Sequence, residues 1–265
     1  MNESDAQDSA FFDALAPRYD ELRSRAPIDR WTRRAFQTLV AETVPAGSLL
    51  LDFACGTGLD ALWYARHGYR VLAYDISDGM LKQLRQRCAG EIVSGQVVPV
   101  RAPFDDFAAA MQTHPRPAAV VSNFSCLGDL ARPPRFFEMI APLLAPGAPV
   151  LVCVLNPFFW KDMTHLWWWT ALAHSFPRPA IRTHGSGRDA YRHFISSLTN
   201  AARPHFRLEQ KASVGMVVPR VSQPLDWDRP NTLGERLETR FWKRFPFRSS
   251  GMFVFLTFRR VPSRD

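Results

Sequence analysis

The stretch "LLLDFACGTGLD", Leu49 to Asp60, decides the fold. An apolar run stops at Asp52 and then turns through Cys55, Gly56, Thr57 and Gly58. Such a run predicts a strand covered on both faces. Glycines directly after it let backbone approach a ligand, and the helix opening near Leu59 offers unpaired N–H groups. Gly56 to Ala61 fits G-x-G-x-x-A, the dinucleotide fingerprint with alanine at its end. Asp52 argues against a phosphate, because a carboxylate there repels a pyrophosphate and accepts hydrogen bonds from a cation or an ammonium group. Ala54 stands where a third small hinge, usually glycine, is expected. Its Cβ is tolerable with a negative φ.

Outward from this turn the chain alternates. "LDALWYARHG" reads as a helix stopped by Gly68, and "YRVLAYDIS" as a strand ending in Asp75. "DGMLKQLRQRCAG" is a helix capped by Ser77, "QVVPV" a third strand and "FDDFAAAMQ" a short helix. "AAVVSNFSCL" is a fourth strand, "PPRFFEMIAPLLAPG" a helix and "APVLVCVLNPF" a fifth strand. Strands alternating with helices predict a parallel, doubly wound α/β sheet. "HFRLEQKASVGMVVP" and "GMFVFLTFRRV" add two strands around the helix "NTLGERLETRFWKRF", an antiparallel finish. Upstream, residues 1–10 are expected to be a disordered tail. "FFDALAPRYDELR" reads as one or two short helices broken near Pro17, and "DRWTRRAFQTLVAETV" as a helix burying Trp31, Ala35, Phe36, Leu39 and Val40.

The 265 residues carry a net charge of +8, unevenly placed. Residues 1–157 hold 15 Lys/Arg against 17 Asp/Glu; residues 158–265 hold 18 against 8. That surplus fits a solvated basic surface, an anionic substrate, an acidic carrier domain, a membrane surface or nucleic acid. From the polar start "MNESDAQDSA" no secretory signal is expected, and no apolar run is long enough to span a bilayer. Cysteines 55, 88, 126 and 153 lack paired spacing, so reduced thiols, no metal and a cytoplasmic setting are expected.

"LLLDFACGTG", "VLAYDISDGML", "SNFSCL" and "LLAPGAPVLVCVLNPF", in this order and spacing, resemble the class I S-adenosylmethionine-dependent methyltransferases, over roughly Phe11 to Pro157. "FFDALAPRYDEL" resembles the pre-sheet segment of their bacterial small-molecule branch, which lids the cofactor. The resemblance implies a Rossmann-like seven-stranded sheet, mostly parallel with the last strand antiparallel, and S-adenosylmethionine as cofactor. That cofactor has an ammonium and a sulfonium and no phosphate, in keeping with Asp52. It implies that Asp52 and the backbone of Ala54, Cys55, Gly56, Thr57 and Gly58 line the methionine part. Asp75 would bind the ribose, Ile76 and Met80 would flank the adenosine, and Asn123 and Phe124 would sit beside the methionine tail. Tyr19 would reach the cofactor's carboxylate. The family's acid after the third strand is replaced by Arg101-Ala102-Pro103-Phe104, with Asp105 and Asp106 as displaced candidates.

The expected division is a tail (1–10), a helical lid (11–46), a cofactor-binding core (47–157), an aromatic and basic substrate cap (158–200) and closing strands with a helix (201–265). The cap carries Trp160, Trp167, Trp168, Trp169 and several arginines. Phe11, Trp160, Trp167, Arg182 and Arg192 are the candidate substrate contacts, and His165 is the candidate base. Methyl transfer needs a base only when the nucleophile is poorly ionised. The preferred reading is a methyltransferase acting on O or C of a hydrophobic or aromatic small molecule, with an anionic or carrier-bound form open. The alternatives are an RNA methyltransferase, an NAD(P)-dependent oxidoreductase and a non-catalytic adenosylmethionine-binding protein. "SNFSCL" lacks the Asn/Asp-Pro-Pro-aromatic signature of base methylation, which disfavours nucleic acid. Peripheral membrane contact is open, and oligomeric state is not readable.

Overall fold

A computed structural model describes residues 3–24, 26–124, 127, 132–175, 180–185, 188–217 and 225–262. Helix α1 (Glu3–Ser24) and helix α2 (Pro27–Thr43) precede a seven-stranded sheet. The first half of that sheet comprises β1 (Leu49–Phe53), β2 (Arg70–Asp75), β3 (Val97–Arg101), β4 (Ala119–Ser122) and β5 (Pro149–Leu155). Between them run α3 (Leu59–Arg66), α4 (Asp78–Arg87), α5 (Ala89–Val93), α6 (Phe107–Gln112) and α7 (Pro133–Ile140). An excursion follows, with α8 (Leu166–Ala173) and a separate hairpin of β6 (Ala180–Gly185) and β7 (Arg188–His193). Then come α9 (Ile195–Ala202), β8 (Phe206–Val214), α10 (Leu233–Phe241) and β9 (Phe253–Arg260).

The strand order is β3-β2-β1-β4-β5-β9-β8. β1 to β5 pair in parallel, and β9 runs antiparallel to both β5 and β8. The doubly wound sheet with an antiparallel last strand is therefore present. Its order reverses between β1 and β4, where Asp52 pairs with Val121. At such a switch point the connections leave in opposite directions, and a crevice opens beyond the carboxyl ends of the strands.

All five β1 residues are buried. Successive side chains point to opposite faces, so Leu50 joins one core with Trp31, Phe36 and Tyr64. Leu51 and Phe53 join the other with Phe107, Phe136 and Phe258. Helix α2 buries Trp31, Ala35, Phe36, Leu39 and Val40, as its spacing requires, with proline at its first turn. Ser77 caps α4, accepting from Met80 N at 3.0 Å.

Two expectations are corrected. The residues read as a disordered tail are helical from Glu3 onward, in one 22-residue helix that contains Pro17. The segment "RDAYRHFISSLTNAA", Arg188 to Ala202, whose apolar spacing reads as helical, is not one helix. Residues 188–193 form β7, paired with β6, and helix begins only at Ile195.

Candidate functional site: a cleft at the carboxyl edge of the sheet

Leaving β1, the chain hooks back on β2 through Cys55 N to Tyr74 O at 3.0 Å and closes with Gly58 N to Cys55 O at 3.1 Å. This path puts Ala54 at φ 59, in the left-handed region, not at the negative φ expected for it. Gly58 has φ 81, and a Cβ there would lie 2.7 Å from Leu84 Cγ, so only glycine fits. Phe124, just past β4, is also left-handed at φ 54. Its N–H is held by Asn123 Oδ1 at 2.9 Å. A non-glycine residue in this region costs roughly 1 kcal/mol or more and persists only where its surroundings impose it. Both strained residues line the same cleft.

Three buried acids surround the turn. Asp75 accepts Gly56 N at 2.8 Å and Ser77 N at 2.9 Å, so the strand-ending acid also shapes the glycine turn. Burial pushes its pKa up to about 6, while these N–H donors hold it down. Asp60 pairs with Arg33 and accepts from Gln37 Nε2 at 2.9 Å and Asn123 Nδ2 at 3.1 Å. Asp52 is 2% exposed, and its Oδ2 has no hydrogen-bond partner. Burial raises its pKa well above the usual carboxylate range, and the like charges of Asp60 and Asp75 add to this against the opposing pull of Arg33. An orphaned buried carboxylate oxygen suits a cationic ligand group and opposes a phosphate. The residues present therefore fit the ammonium end of S-adenosylmethionine.

Helix α1 closes one side. Asp13 Oδ1 accepts from Ser77 Oγ at 2.6 Å and from Gly79 N at 2.8 Å, adding a carboxylate to the N-terminus of α4. Asp20 accepts from Thr57 Oγ1 at 2.6 Å and pairs with Arg87. A Cβ on Gly79 would lie 2.9 Å from Asp13 Cα, so glycine is what lets α1 sit this close.

The result is a cleft of about 760 Å3, partly open to solvent. Tyr19, Ala54, Gly56, Asp75, Ile76, Met80, Asn123 and Phe124 line it, all expected from the sequence. A smaller adjoining cleft of about 350 Å3 brings in Asp52, Cys55 and Thr57, together with Arg33 and Asp60. Gly58 caps α3 behind them. Burial raises the Cys55 thiol, which keeps it protonated.

The cap residues are placed differently. Phe12, not its edge-on neighbour Phe11, lines the cleft. His165 is exposed at the start of α8 and lines neither cleft. Trp160 and Trp167 are outward-facing as well. Arg192 is paired with Asp162 and lies 5.5 Å from the Trp167 ring centroid. Arg182 falls outside the described side chains. After β3 it is Phe104, stacked on Phe53, that faces the cleft, while Asp105 turns away to pair with Arg135.

Sequence reading missed Arg33, Asp60, Phe12 and Phe104. Arg33 and Asp60 sit on helices read for their apolar faces, and a buried pair leaves no periodic signal. No group of three or more His, Cys, Asp or Glu able to hold a metal occurs among the described residues.

A family model described as a methyltransferase domain matches residues 19–186, more than half of the chain. The chain belongs to this methyltransferase-domain family. It is 30% identical over 159 residues to the demethylmenaquinone methyltransferase of Clavibacter sepedonicus, covering 58% of this chain and 60% of that one. It is 38% identical over 92 residues to that of Thermobifida fusca (strain YX), covering 34% and 38%. The chain thus spans less than two thirds of the length of these relatives. The Burkholderia thailandensis 1,6-didemethyltoxoflavin-N1-methyltransferase, solved with S-adenosylhomocysteine and 1,6-didemethyltoxoflavin bound, shares the fold. Its TM-score is 0.59 at 15% identity, covering 99% of this chain and 92% of that one.

Proposed function

We propose that this protein transfers the methyl group of S-adenosylmethionine to an oxygen or carbon of a hydrophobic, aromatic small molecule. The observation that carries the cofactor side is the unpartnered Asp52 Oδ2 beside Arg33, in a cleft that also holds Asp75 and the glycine turn. Asp52 would hold the cofactor's ammonium, and Arg33 with Tyr19 its carboxylate. Asp75 would accept from the ribose hydroxyls, and Ile76, Met80 and Phe104 would flank the adenine. When bound, S-adenosylmethionine supplies a methyl group on a positively charged sulfur, open to displacement by a nucleophile.

The chain's own contribution is alignment and the exclusion of water. Pinned α1 covers the cleft, and Asn123 fixes Phe124 beside it. The aromatic lining of Phe12, Phe104 and Phe124 favours a flat, apolar acceptor. The described cleft residues include no histidine, so the acceptor would react in an already ionised or electron-rich form. The two relatives named demethylmenaquinone methyltransferase support a quinone-like ring.

The test is turnover with labelled S-adenosylmethionine and a panel of phenols, quinols and RNA. Methylation of apolar rings with release of adenosylhomocysteine is expected. Label transferred to RNA and to none of the rings would overturn the substrate reading.

A further inference from the structure

The outward face of α8 is built the wrong way round for water. Leu166, Trp169, Thr170 and Ala173 stand at i, i+3, i+4 and i+7 and are all exposed. Leu166 is 79% exposed, Trp169 53% and the neighbouring Trp167 41%. A helix on a protein surface normally turns charged side chains to this face. From Leu166 to Ser175 the sequence contains no Asp, Glu, Lys or Arg.

The helix is nevertheless firmly seated. Trp168 is 1% exposed, and its indole donates to Pro157 O at 2.7 Å. The Trp169 indole donates to Met163 O at 2.9 Å. The outward rings therefore leave no indole N–H in need of water on Trp169, and they are held in position. Trp160, 50% exposed, extends the apolar surface before α8.

We propose that this face is an interfacial docking surface for an anionic lipid bilayer. Charge argues for the bilayer over a second copy of the chain. From Met163 through Arg188 there are three arginines, Arg188 included, and no acidic residue, and Lys161 Nζ lies 5.5 Å from the Trp160 ring centroid. Residues 158–265 carry 18 basic against 8 acidic side chains. Two such surfaces repel one another, whereas anionic headgroups attract each of them. Tryptophan suits the site, since its amphipathic ring sits at headgroup level. An eight-residue helix is about 12 Å long, so α8 would lie in the membrane plane and not cross it. It leaves the same carboxyl edge of the sheet that carries the cleft, so docking would turn that edge towards the lipid. The docking does not depend on which acceptor is methylated.

The experiment is co-sedimentation with vesicles of phosphatidylcholine alone and of phosphatidylcholine mixed with phosphatidylglycerol. Wild type is compared with the double variant Leu166→Ser/Trp169→Ser. Size-exclusion chromatography with light scattering is run on both proteins. Wild-type protein should bind the anionic vesicles at least roughly tenfold more tightly than the neutral ones, and the binding should weaken with salt. The double variant should bind roughly tenfold less, with adenosylhomocysteine binding retained as proof that it is folded. Vesicle binding that is absent in the wild type, or undiminished in the double variant, overturns the proposal. So does a wild-type dimer that the substitutions dissociate, since the face would then belong to a second copy.

Discussion

Lowering the pH from 7 to 5 should weaken adenosylhomocysteine binding about tenfold through Asp75 alone. Ribose hydroxyls are donors and require the ionised carboxylate. Burial lifts the Asp75 pKa from 3.8 to about 6. At pH 7 roughly ten in eleven molecules carry the charge, and at pH 5 roughly one in eleven. Asp52, raised by its own burial, can steepen the dependence further. The same shift has a stability counterpart with a fixed sign. Because the folded pKa lies above the unfolded one, the native state keeps this proton when the unfolded chain has lost it. Its contribution to stability is greatest below about pH 4 and falls as pH rises through about 6, by an order of ~3 kcal/mol. Titration calorimetry across pH 5 to 8, on wild type and Asp75→Asn, measures the effect. Asp75→Asn should bind roughly tenfold or more weakly at pH 7 and should lose this share of the pH dependence. A dissociation constant that is flat with pH, or a slope unchanged in Asp75→Asn, would show that Asp75 does not bind the ribose as a titrating carboxylate.

The other expectations concern the frame of the site. Ala54→Gly should relieve the left-handed strain and stabilise the protein by about 1 kcal/mol, read as a rise of a few degrees in Tm without loss of adenosylhomocysteine binding; a lower Tm would mean that Ala54 is not strained. Gly79→Ala should push α1 off α4, weakening ligand binding several-fold and exposing α1 to limited proteolysis, and protection equal to wild type would count against the pinning of that helix. Arg33→Met should cost about 3 kcal/mol in urea denaturation, because it leaves Asp60 buried and unpaired. Arg33→Met/Asp60→Leu should recover part of that loss, and strictly additive effects would show that the two side chains are independent.

The parallel half of the fold was legible because "LLLDFA", "YRVLAYD" and "APVLVCVL" are buried on both faces and so read as unbroken apolar runs. Asp52 and Asp75 were legible because each ends such a run in a charge that no core would choose. The β6–β7 hairpin was not, since Tyr191, Phe194, Ile195 and Leu198 also satisfy helical spacing, and it is pairing with 180–185 that decides the first part. The single α1 was hidden by Pro17, which local rules read as a break. The hinge at Ala54 was misread because its φ is set by where β1 must hook onto Tyr74, a contact 20 residues away in sequence. His165 drew notice from the tryptophans around it, yet α8 turns that end of the cap to solvent.

Calorimetry with adenosylhomocysteine and, separately, with NAD, on wild type and Asp52→Asn, tests most directly whether the cleft holds S-adenosylmethionine through Asp52. Wild-type protein should bind adenosylhomocysteine, roughly tenfold or more weakly when the Asp52 charge is removed, and should not bind NAD. Tight NAD binding without adenosylhomocysteine binding would contradict that reading of the cleft.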